Sequence, residues 1–407
     1  MNPLGGGVLR VAILAESYLP YLSGVTVSTD ALARGLGAAG HQVLVLAPRA
    51  AHGAAPTSAG TTGPEPAYAW LPSYQPPAPA PHGYRMPWPV PSAAFRAAVD
   101  FAPDVVHAQS PFVVGLMGRR LARRTGAPLI FTHHTRFSDY RHYLGLLARP
   151  GAAALNAYLH AFWASCAAIV APGSELADEI RERLGGRRPP LVRSIPTGVD
   201  VAAIRALPKP DLRAAAGWPP EAVVVASLGR LAPEKNIDLL VDAFALAAGF
   251  DPAMRLLLVG GGPSEAALRE RATRPDLAGR LHLSGQLPRT EGISLIRSAD
   301  LFAFASRTET QGLVLAEALA AGLPVVALEG PGVRDSVRHG VDGVVVPGDP
   351  AGDRTARLAG AIGALAADPS RRAALAAAAG AGADRFETTR RVEEIVALYR
   401  EVLTRAA

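Results

Sequence analysis

Short apolar segments alternate with helix-like segments along most of the chain. In the first half, buried-strand patterns occur at Val8–Ala15, Gln42–Ala47, Asp104–His107 and Pro128–Thr132. The second half repeats this rhythm, with strands predicted at Ala222–Leu228, Arg255–Val259, Leu281–Leu283, Ala299–Ala305 and Pro324–Ala327. Continuous apolar runs of this kind are typical of strands buried on both faces of a parallel sheet. Because helical segments separate the strands, the pattern predicts βαβ units with right-handed crossovers.

The chain of 407 residues with two series of strands indicates two domains. The polar, proline-bearing segment Ala206–Pro220 is predicted to connect them. In the first half, Ala51–Pro91 is rich in Pro, Gly, Ala and Ser, and we interpret it as a long, partly extended surface excursion. The alanine-rich stretch Leu358–Gly382 predicts one or two helices, and another helix is predicted at Val392–Leu403.

The segment Ser306–Gly322 places two carboxylates after a predicted strand. Glu309 lies in the strand-to-helix loop, and Glu317 lies within the helix that follows, on its more polar side. A helix start offers free backbone N–H groups to an anion, and ionised carboxylates accept hydrogen bonds from vicinal hydroxyls. A sugar nucleotide, which joins two hydroxyl-rich sugars by a diphosphate, suits this pattern. The alternative is a pair of solvated glutamates with no ligand.

Two further loops follow predicted strands and carry candidate phosphate ligands. Arg230 and Lys235 follow the strand Ala222–Leu228, and Lys235 is one of only two lysines in the chain. Arginine offers a planar fork to phosphate oxygens and lysine a point charge. Gly24 lies just ahead of a predicted helix, where a backbone can approach a phosphate closely. A solvated basic loop and a plain turn glycine are the alternatives.

The segment His133–Tyr143 begins at the carboxyl end of a predicted strand, where open α/β sheets keep their sites. It holds three histidines, two tyrosines and two arginines. A structural role for each histidine is the alternative, and the spacing matches no known metal-binding pattern.

Composition narrows the range of partners. The net charge is +6, which favours anionic partners such as membrane headgroups or nucleic acid. No zinc-type Cys/His pattern or basic-aromatic stripe supports nucleic acid. The single cysteine, Cys166, allows no disulfide within the chain and fits a reducing cytosol. The N-terminus does not resemble a signal peptide. The uncharged stretch 151–174 is interpreted as a buried helix and the strand Ala167–Val170 rather than as a membrane span.

These motifs together resemble the retaining glycosyltransferases of family 4, over nearly the whole chain. The similarity is carried by Ser23-Gly24-Val25, His134-Thr135, the Gly-Arg-Leu-x-x-Glu-Lys run, Val259-Gly-Gly-Gly-Pro and the pair Glu309/Glu317. The resemblance implies a GT-B fold, an α/β architecture of two Rossmann-like domains that face a central cleft. Residues 1–204 would form the acceptor-side domain and residues 205–385 the nucleotide-sugar domain. The terminal helix, within residues 386–407, would cross back to the first domain.

The resemblance also implies a role for each matching residue. Gly24 would donate its N–H to the β-phosphate, and His134 would contact the transferred sugar near its 6-hydroxyl. Arg230 and Lys235 would neutralise the leaving diphosphate. The remaining donor contacts would be Glu309 to the sugar's 3- and 4-hydroxyls, Glu317 to the ribose, Leu287 to the base, and Gly312 and Leu313 to the phosphates. No Asp-x-Asp occurs in the chain, so neither a metal-borne diphosphate nor another cofactor is expected.

The segment that starts at His134 looks like the subgroup that glycosylates membrane glycerolipids. On the acceptor side the resemblance points to Arg136, Tyr140 and Tyr143, within a basic and apolar region that suits an anionic bilayer. The expected protein is therefore a cytoplasmic, peripheral membrane enzyme that transfers a hexose, with UDP-glucose as the favoured donor. One departure from the family pattern is Gln311, where an aromatic residue usually precedes the glycine.

Three alternatives stay open on the sequence. The first is a GDP-mannose-dependent α-mannosyltransferase acting on a lipid or glycan. The second is a UDP-sugar 2-epimerase of the same fold, and the third is a membrane-docked sugar-nucleotide binder without activity. The sequence indicates no oligomeric state.

Overall fold

The computed structural model describes residues 7–21, 23–49, 62–77, 83–136, 148–185, 189–348 and 353–406. The chain forms two compact units, the first from Met1–Gly198 with Thr388–Ala407 and the second from Val199–Glu387. These limits differ from the predicted boundaries after residues 204 and 385. The reason is packing, because Val201, Ile204 and Phe386 are buried in the core of the second unit.

A seven-stranded parallel sheet forms the centre of the first unit, with a two-stranded antiparallel ribbon beside it. The strands are β1 (Arg10–Leu14), β2 (Gln42–Pro48), β3 (Ala67–Leu71), the ribbon β4 (Ser73–Tyr74) and β5 (Met86–Pro87), β6 (Val105–Ala108), β7 (Leu129–Thr132), β8 (Ala168–Ala171) and β9 (Leu191–Ser194). The helices are α1 (Gly24–Ala38), α2 (Ala93–Asp100), α3 (Val113–Thr125), α4 (Ala148–Trp163) and α5 (Ser174–Arg183).

The order of strands in this sheet is β3-β2-β1-β6-β7-β8-β9. Strand order therefore reverses direction between β1 and β6, which pair in parallel with Leu14 opposite Ala108. A crevice for ligands forms outside the carboxyl ends of the strands at such a switch point. The loops after β1 and β6, together with the loop after the neighbouring β7, lie at this place.

Strand β3 was not predicted from the sequence. Ala67–Leu71 lies within the segment interpreted as a surface excursion, yet it pairs in parallel with β2 and forms the edge of the sheet. Tyr68 and Trp70 stack with ring centroids 4.9 Å apart, and Leu71 is buried. The prolines and glycines around these five residues give the segment the composition of a loop. An edge strand can still form there, because it needs backbone partners on only one side.

Helix α4 is less buried than predicted. Leu159, Phe162 and Trp163 at its C-terminal end are buried, whereas Asn156 and His160 are exposed. Leu155 and Tyr158 pack against the same core while partly exposed, whereas the alanines at 152–154 offer little apolar area to bury. In the part of the chain that the structure describes, no helix is long and apolar enough to cross a membrane.

The second unit contains a six-stranded parallel sheet. Its strands are β10 (Val223–Leu228), β11 (Met254–Val259), β12 (Leu281–Leu283), β13 (Leu301–Phe304), β14 (Val325–Leu328) and β15 (Gly343–Val346). Its helices are α6 (Val201–Ala206), α7 (Leu212–Ala215), α8 (Ile237–Ala248), α9 (Glu265–Arg271), α10 (Arg289–Ile296), α11 (Leu313–Ala320), α12 (Pro331–Ser336), α13 (Arg354–Ala367) and α14 (Pro369–Gly382). The connector predicted at Ala206–Pro220 thus contains the short helix α7.

Numbered along this unit, the strand order β12-β11-β10-β13-β14-β15 is 3-2-1-4-5-6, the order of the classic dinucleotide-binding sheet. Apolar side chains cover both faces of the sheet in two separate clusters, one around Phe302 and one around Phe244. The sequence of strands runs in opposite directions on the two sides of the β10–β13 pair, so the loops after these two strands lie at the switch point of this unit.

The last helix, α15 (Thr388–Ala406), belongs to the first unit. It packs against α1, and the fully buried Tyr399 contacts β6 through a hydrogen bond of 2.7 Å between its hydroxyl and His107 Nδ1. The other ring nitrogen of His107 is 2.7 Å from Thr132 Oγ1. The predicted docking of the terminal helix on the first domain therefore has a buried polar anchor as well as apolar packing.

Three histidines of this unit make its stability dependent on pH. Burial lowers the pKa of His107 and of His133 to about 3, and that of His134 to about 4. Their unfolded pKa values lie near 6.5, so in mildly acidic solution the unfolded chain binds protons that the folded chain does not. Stability is therefore complete above about pH 6.5 and falls as pH drops toward about 4, by roughly 1.4 kcal/mol per pH unit for each histidine.

We expect the urea midpoint to fall between about pH 7.5 and about pH 5. In the His107→Gln variant the urea midpoint falls less over this pH range, because the glutamine amide does not titrate and one histidine fewer contributes. A variant with the same pH dependence as the wild type, measured by unfolding at both pH values, would contradict this assignment.

Candidate active site

Two loops meet at the switch point of the second unit. The first, residues 229–236, follows β10 and includes a 3₁₀ turn at Pro233–Lys235; the second, residues 305–312, follows β13. Asn236 Nδ2 donates to Ala305 O at 3.1 Å, and Thr308 Oγ1 donates to the carbonyl of Glu234 at 3.2 Å. These bonds hold the two loops together.

The cation and the carboxylate predicted from sequence are in contact here. Lys235 Nζ lies 2.5 Å from Glu309 Oε1, and both side chains are about one quarter exposed. The sequence separates them by 74 positions, and only the adjacency of β10 and β13 brings them together. An ammonium group beside a carboxylate can bind an anion and a hydroxyl that belong to one ligand.

Glycines allow the loop of Arg230 to pack tightly against the loop after β11. A Cβ on Gly260, whose φ is +139°, would meet the carbonyl oxygen of Gly229. Leu231 N donates to Gly261 O at 3.0 Å, and Ser264 N donates to Leu231 O at 3.0 Å. The glycine run after Val259 therefore shapes the neighbouring loop. Arg230 itself is largely exposed, and its guanidinium contacts Glu234 at 3.4 Å.

Helix α11 begins beside the Lys235–Glu309 pair. Gly312 is its N-cap in a left-handed conformation with φ +71°, which glycine adopts without strain, and no side chain caps the helix there. Uncapped N–H groups at a helix start attract anions through hydrogen bonds and the helix dipole. Leu313, the first residue of α11, is half-buried.

Glu317 is buried rather than on a polar side of its helix, which corrects the prediction. Its side chain is 6% exposed, because α11 is enclosed on nearly all sides. Arg289, the first residue of α10, pairs with it through Nε at 2.7 Å and Nη2 at 2.6 Å, both to Oε1. Leu287, two residues earlier, packs against the same core. Both contacts of Arg289 are made by Oε1 of Glu317.

Removing Arg289 leaves a buried carboxylate without its cation. We expect Arg289→Leu to lower the free energy of unfolding by about 3 kcal/mol, the usual cost of breaking a buried pair from one side. Denaturant midpoints measure the loss. Arg269→Leu is the control, because the exposed pair of Arg269 with Glu265 contributes little. Equal midpoints for the two variants would contradict the assigned burial.

In the first unit, His134 and Gln109 occupy the switch point. Gln109 directly follows β6 and is 3% exposed, and its Oε1 is 2.8 Å from His134 Nε2. Burial keeps His134 neutral near pH 7, because it lowers the pKa of the ring, so Nε2–H donates to this oxygen with the amide in the orientation observed. The sequence pointed to His134 but not to Gln109, whose only sequence signal is its place at the end of a predicted strand.

Gly24 and Glu16 lie after β1 at the same edge. Gly24 is the first residue of α1 rather than a residue ahead of it, and Ser23 caps the helix by accepting from Thr26 N. A Cβ on Gly24 would meet no heavy atom of the described chain within 4 Å. Packing within the described chain thus leaves open space for a ligand at this glycine. Glu16 Oε1 accepts from Val113 N at 3.2 Å, and burial raises the pKa of its carboxyl.

The predicted acceptor-side residues are only partly within the described chain. Arg136 is paired with Glu175 at 3.0 Å and with Glu179 at 3.2 Å, so two carboxylates of α5 already neutralise its charge. Tyr140 and Tyr143 lie outside the described residues. Across the described ranges, no group of three or more His, Cys, Asp or Glu side chains is arranged to hold a metal ion.

Comparisons with known proteins decide the family. The family model described as Glycosyltransferase Family 4 matches residues 22–203, and that described as Glycosyl transferases group 1 matches residues 208–380. A D-inositol 3-phosphate glycosyltransferase 1 of Catenulispora acidiphila is 35% identical over 76% of this chain and 74% of that protein. The chain belongs to glycosyltransferase family 4. It is therefore an enzyme that transfers a glycosyl group, as predicted.

Other relatives of this family 4 enzyme carry different names. An alpha-monoglucosyldiacylglycerol synthase of Streptococcus pneumoniae is 30% identical over 63% of this chain, and the match spans only 59% of that protein. A GDP-mannose-dependent alpha-mannosyltransferase of Mycobacterium tuberculosis is 30% identical over 83% of this chain and 84% of that protein. The predicted likeness to glycerolipid hexosyltransferases is thus confirmed as a likeness, while the donor and the acceptor differ among the relatives.

Solved structures show the fold of this family 4 enzyme. The structure of Anabaena HepE in complex with UDP and glucose matches with a TM-score of 0.70 at 20% identity, covering 97% of this chain and 100% of that one. The predicted GT-B fold of two Rossmann-like units is confirmed. The sequence did not reveal Arg289, because nothing local marks it as the partner of a glutamate 28 positions away.

Proposed function

We propose that the enzyme transfers a hexose, with UDP-glucose as its preferred donor, to a membrane glycerolipid such as diacylglycerol. The observation that carries this proposal is the contact of Lys235 with Glu309 at the switch point, beside the uncapped start of α11. A cation and free N–H groups suit a diphosphate, and a carboxylate next to them suits the hydroxyls of the attached sugar. The similarity to a monoglucosyldiacylglycerol synthase supports the choice of glycerolipid.

In the proposed complex with the donor, each candidate site residue of the second unit has one role. Lys235, Arg230 and the N–H groups of Gly312 and Leu313 bind the diphosphate. Glu309 accepts from the 3- and 4-hydroxyls of the hexose. Glu317 accepts from the ribose through Oε2, because its Oε1 already accepts from Arg289. The backbone of Leu287 reads the base.

The reaction breaks the bond between the anomeric carbon and the phosphate oxygen, and it forms a bond from that carbon to the acceptor oxygen on the same face. The departing phosphate takes the proton of the acceptor hydroxyl, so the products are a hexosyl lipid and a nucleoside diphosphate. Negative charge grows on the leaving phosphate, and preorganised cations and N–H donors stabilise it. Such stabilisation replaces a metal ion, and we propose that turnover continues in excess chelator.

The first unit supplies the remaining roles. We assign Gly24 to the β-phosphate and neutral His134 to the 6-hydroxyl of the transferred sugar. Arg136, Tyr140 and Tyr143 are assigned to the acceptor side, on a cytoplasmic enzyme that works at the inner face of a membrane. The low pKa of His134 supports a hydrogen-bonding role rather than a cationic one.

A mannosyltransferase that uses GDP-mannose is the second candidate, because a relative of that name matches over 83% of the chain. A screen of UDP-glucose, UDP-galactose and GDP-mannose against diacylglycerol vesicles and a lipid extract, with mass detection of products, separates the two. We expect a hexosyl-diacylglycerol from UDP-glucose. A product from GDP-mannose alone would establish the second candidate. An epimer formed from donor without acceptor, detected by NMR, would establish an epimerase instead.

A further inference from the structure

One face of helix α3 carries four arginines and an exposed leucine. Leu116, Arg119, Arg120, Arg123 and Arg124 are all exposed and follow helical spacing, while Val114 and Leu121 on the opposite side are buried. This face contains no acidic residue. Over residues 84–124 the sequence has six arginines and only two aspartates, Asp100 and Asp104. Asp104 is engaged elsewhere, since its Oδ2 accepts from Arg10 N.

These arginines differ from others in the molecule in having no counter-charge. No guanidinium among the four on α3 has an ion pair or hydrogen bond with any residue in the described ranges. By contrast, Arg390, Arg391 and Arg405 on α15 each contact a glutamate. Exposed cations without partners keep a positive potential that attracts anionic surfaces.

Apolar side chains lie next to these cations. A surface groove of about 410 Å³ runs beside α3, lined in part by Val90, Phe95 and Met117 together with Arg120 and Arg124. The guanidinium of Arg120 lies over the ring of Phe95, 5.5 Å from its centroid. Arg96 and Asp100 also line the groove. Its lining thus carries three arginines and one aspartate, which gives it a net positive charge.

The exposed apolar residues on this side are large. Trp88 is 48% exposed, Val90 44% and Leu116 43%. Tryptophan and aliphatic side chains interspersed with arginines are the composition by which proteins bind the interface of a bilayer. Together, Trp88–Pro91 and the solvent face of α3 are called the α3 surface below.

We propose that the α3 surface binds the anionic headgroups of a lipid bilayer. It consists of other residues than Arg136, Tyr140 and Tyr143, where the sequence pointed to the acceptor side and the membrane, and Arg136 is already neutralised by two glutamates of α5. Helix α3 starts four residues after Gln109, at the sheet edge that carries His134. A bilayer on the α3 surface lies beside that edge. The choice of a lipid occupant rests on the proposed function, because an enzyme that glycosylates a glycerolipid works at a membrane.

The test is co-flotation with vesicles that contain neither acceptor lipid nor sugar nucleotide. We expect the full-length protein to bind vesicles of phosphatidylglycerol and phosphatidylcholine, to bind phosphatidylcholine alone far more weakly, and to lose binding as salt rises. Each arginine contributes roughly fivefold to the partition. The variant R119Q/R120Q/R123Q/R124Q therefore binds anionic vesicles at least a hundredfold more weakly, and Trp88→Ser lowers binding several-fold.

A control variant of equal net charge removes four exposed arginines from other places: R269Q/R274Q/R371Q/R390Q. We expect it to keep binding within a few-fold of the wild type. Equal loss in both variants would show a general charge effect and overturn the proposal. Equal binding of the wild type to anionic and to neutral vesicles would also overturn the proposal. The same holds if the protein binds single-stranded RNA through these arginines and does not bind vesicles.

Failure of the proposed function gives a different result. If the acceptor is not a glycerolipid, the vesicle binding stays and no hexosyl-diacylglycerol forms. If the α3 surface does not bind membranes, the quadruple variant floats like the wild type whatever the enzyme transfers. Circular dichroism spectra and denaturant midpoints equal to those of the wild type show that the variants are folded.

Discussion

The Glu309→Gln variant is expected to transfer hexose about a thousandfold more slowly than the wild type, while its affinity for UDP changes little. Glu309 sits beside Lys235 at the switch point, where its carboxylate can accept from two vicinal hydroxyls. Glutamine keeps the shape but replaces one acceptor oxygen by a donor and removes the charge. The hexose then loses the contacts that orient its anomeric carbon, and the reaction at a misplaced carbon is slow.

Turnover with saturating UDP-glucose and acceptor measures the effect, and titration calorimetry with UDP measures the nucleotide affinity. Glu265→Gln is the matched control, because Glu265 also pairs with a basic residue of the second unit, Arg269 at 2.7 Å. We expect this control to turn over at the wild-type rate. Near-normal turnover by Glu309→Gln would remove this carboxylate from the sugar site.

The Lys235→Ala variant is expected to lose at least tenfold in kcat and to bind UDP more weakly as well. Lys235 lies in the loop beside the uncapped start of α11, and its charge opposes the charge that grows on the leaving diphosphate. Both side chains of its pair are partly exposed, so Glu309 remains solvated in the variant and the fold survives.

The chain provides its own control for this variant. Its only other lysine, Lys209, is exposed and lies outside the loops of the switch point. We expect Lys209→Ala to match the wild type in kcat and in UDP affinity. A Lys235→Ala enzyme with unchanged rate and unchanged affinity for UDP would place the diphosphate elsewhere.

Local pattern was enough to predict most strands and the loops that carry the candidate site. Each βα unit is marked by a few residues: an apolar run, a glycine-bearing loop, then a helix. Glu309, Gly312 and Lys235 could therefore be assigned to the carboxyl ends of strands by sequence alone. Their grouping at one switch point followed from strand order, which the resemblance to the GT-B fold implied.

What the sequence hid was set by contacts between distant segments. Strand β3 is defined by its pairing with β2, and its own composition resembles that of a loop. Glu317 looked solvated in the sequence, because neither the packing that encloses α11 nor its partner Arg289 on α10 has a local sequence signal. The division between the units was displaced for the same reason, since α6 packs on the core of the second unit. Such partners have no local signature.

A crystal structure of the enzyme with a nucleoside diphosphate hexose tests the central claim most directly. We expect the diphosphate to lie within hydrogen-bonding distance of Lys235 Nζ and of the N–H groups at the start of α11, with Glu309 contacting the hexose and Glu317 Oε2 contacting the ribose. A donor bound away from the loops after β10 and β13, or one whose sugar leaves Glu309 paired only with Lys235, would contradict it.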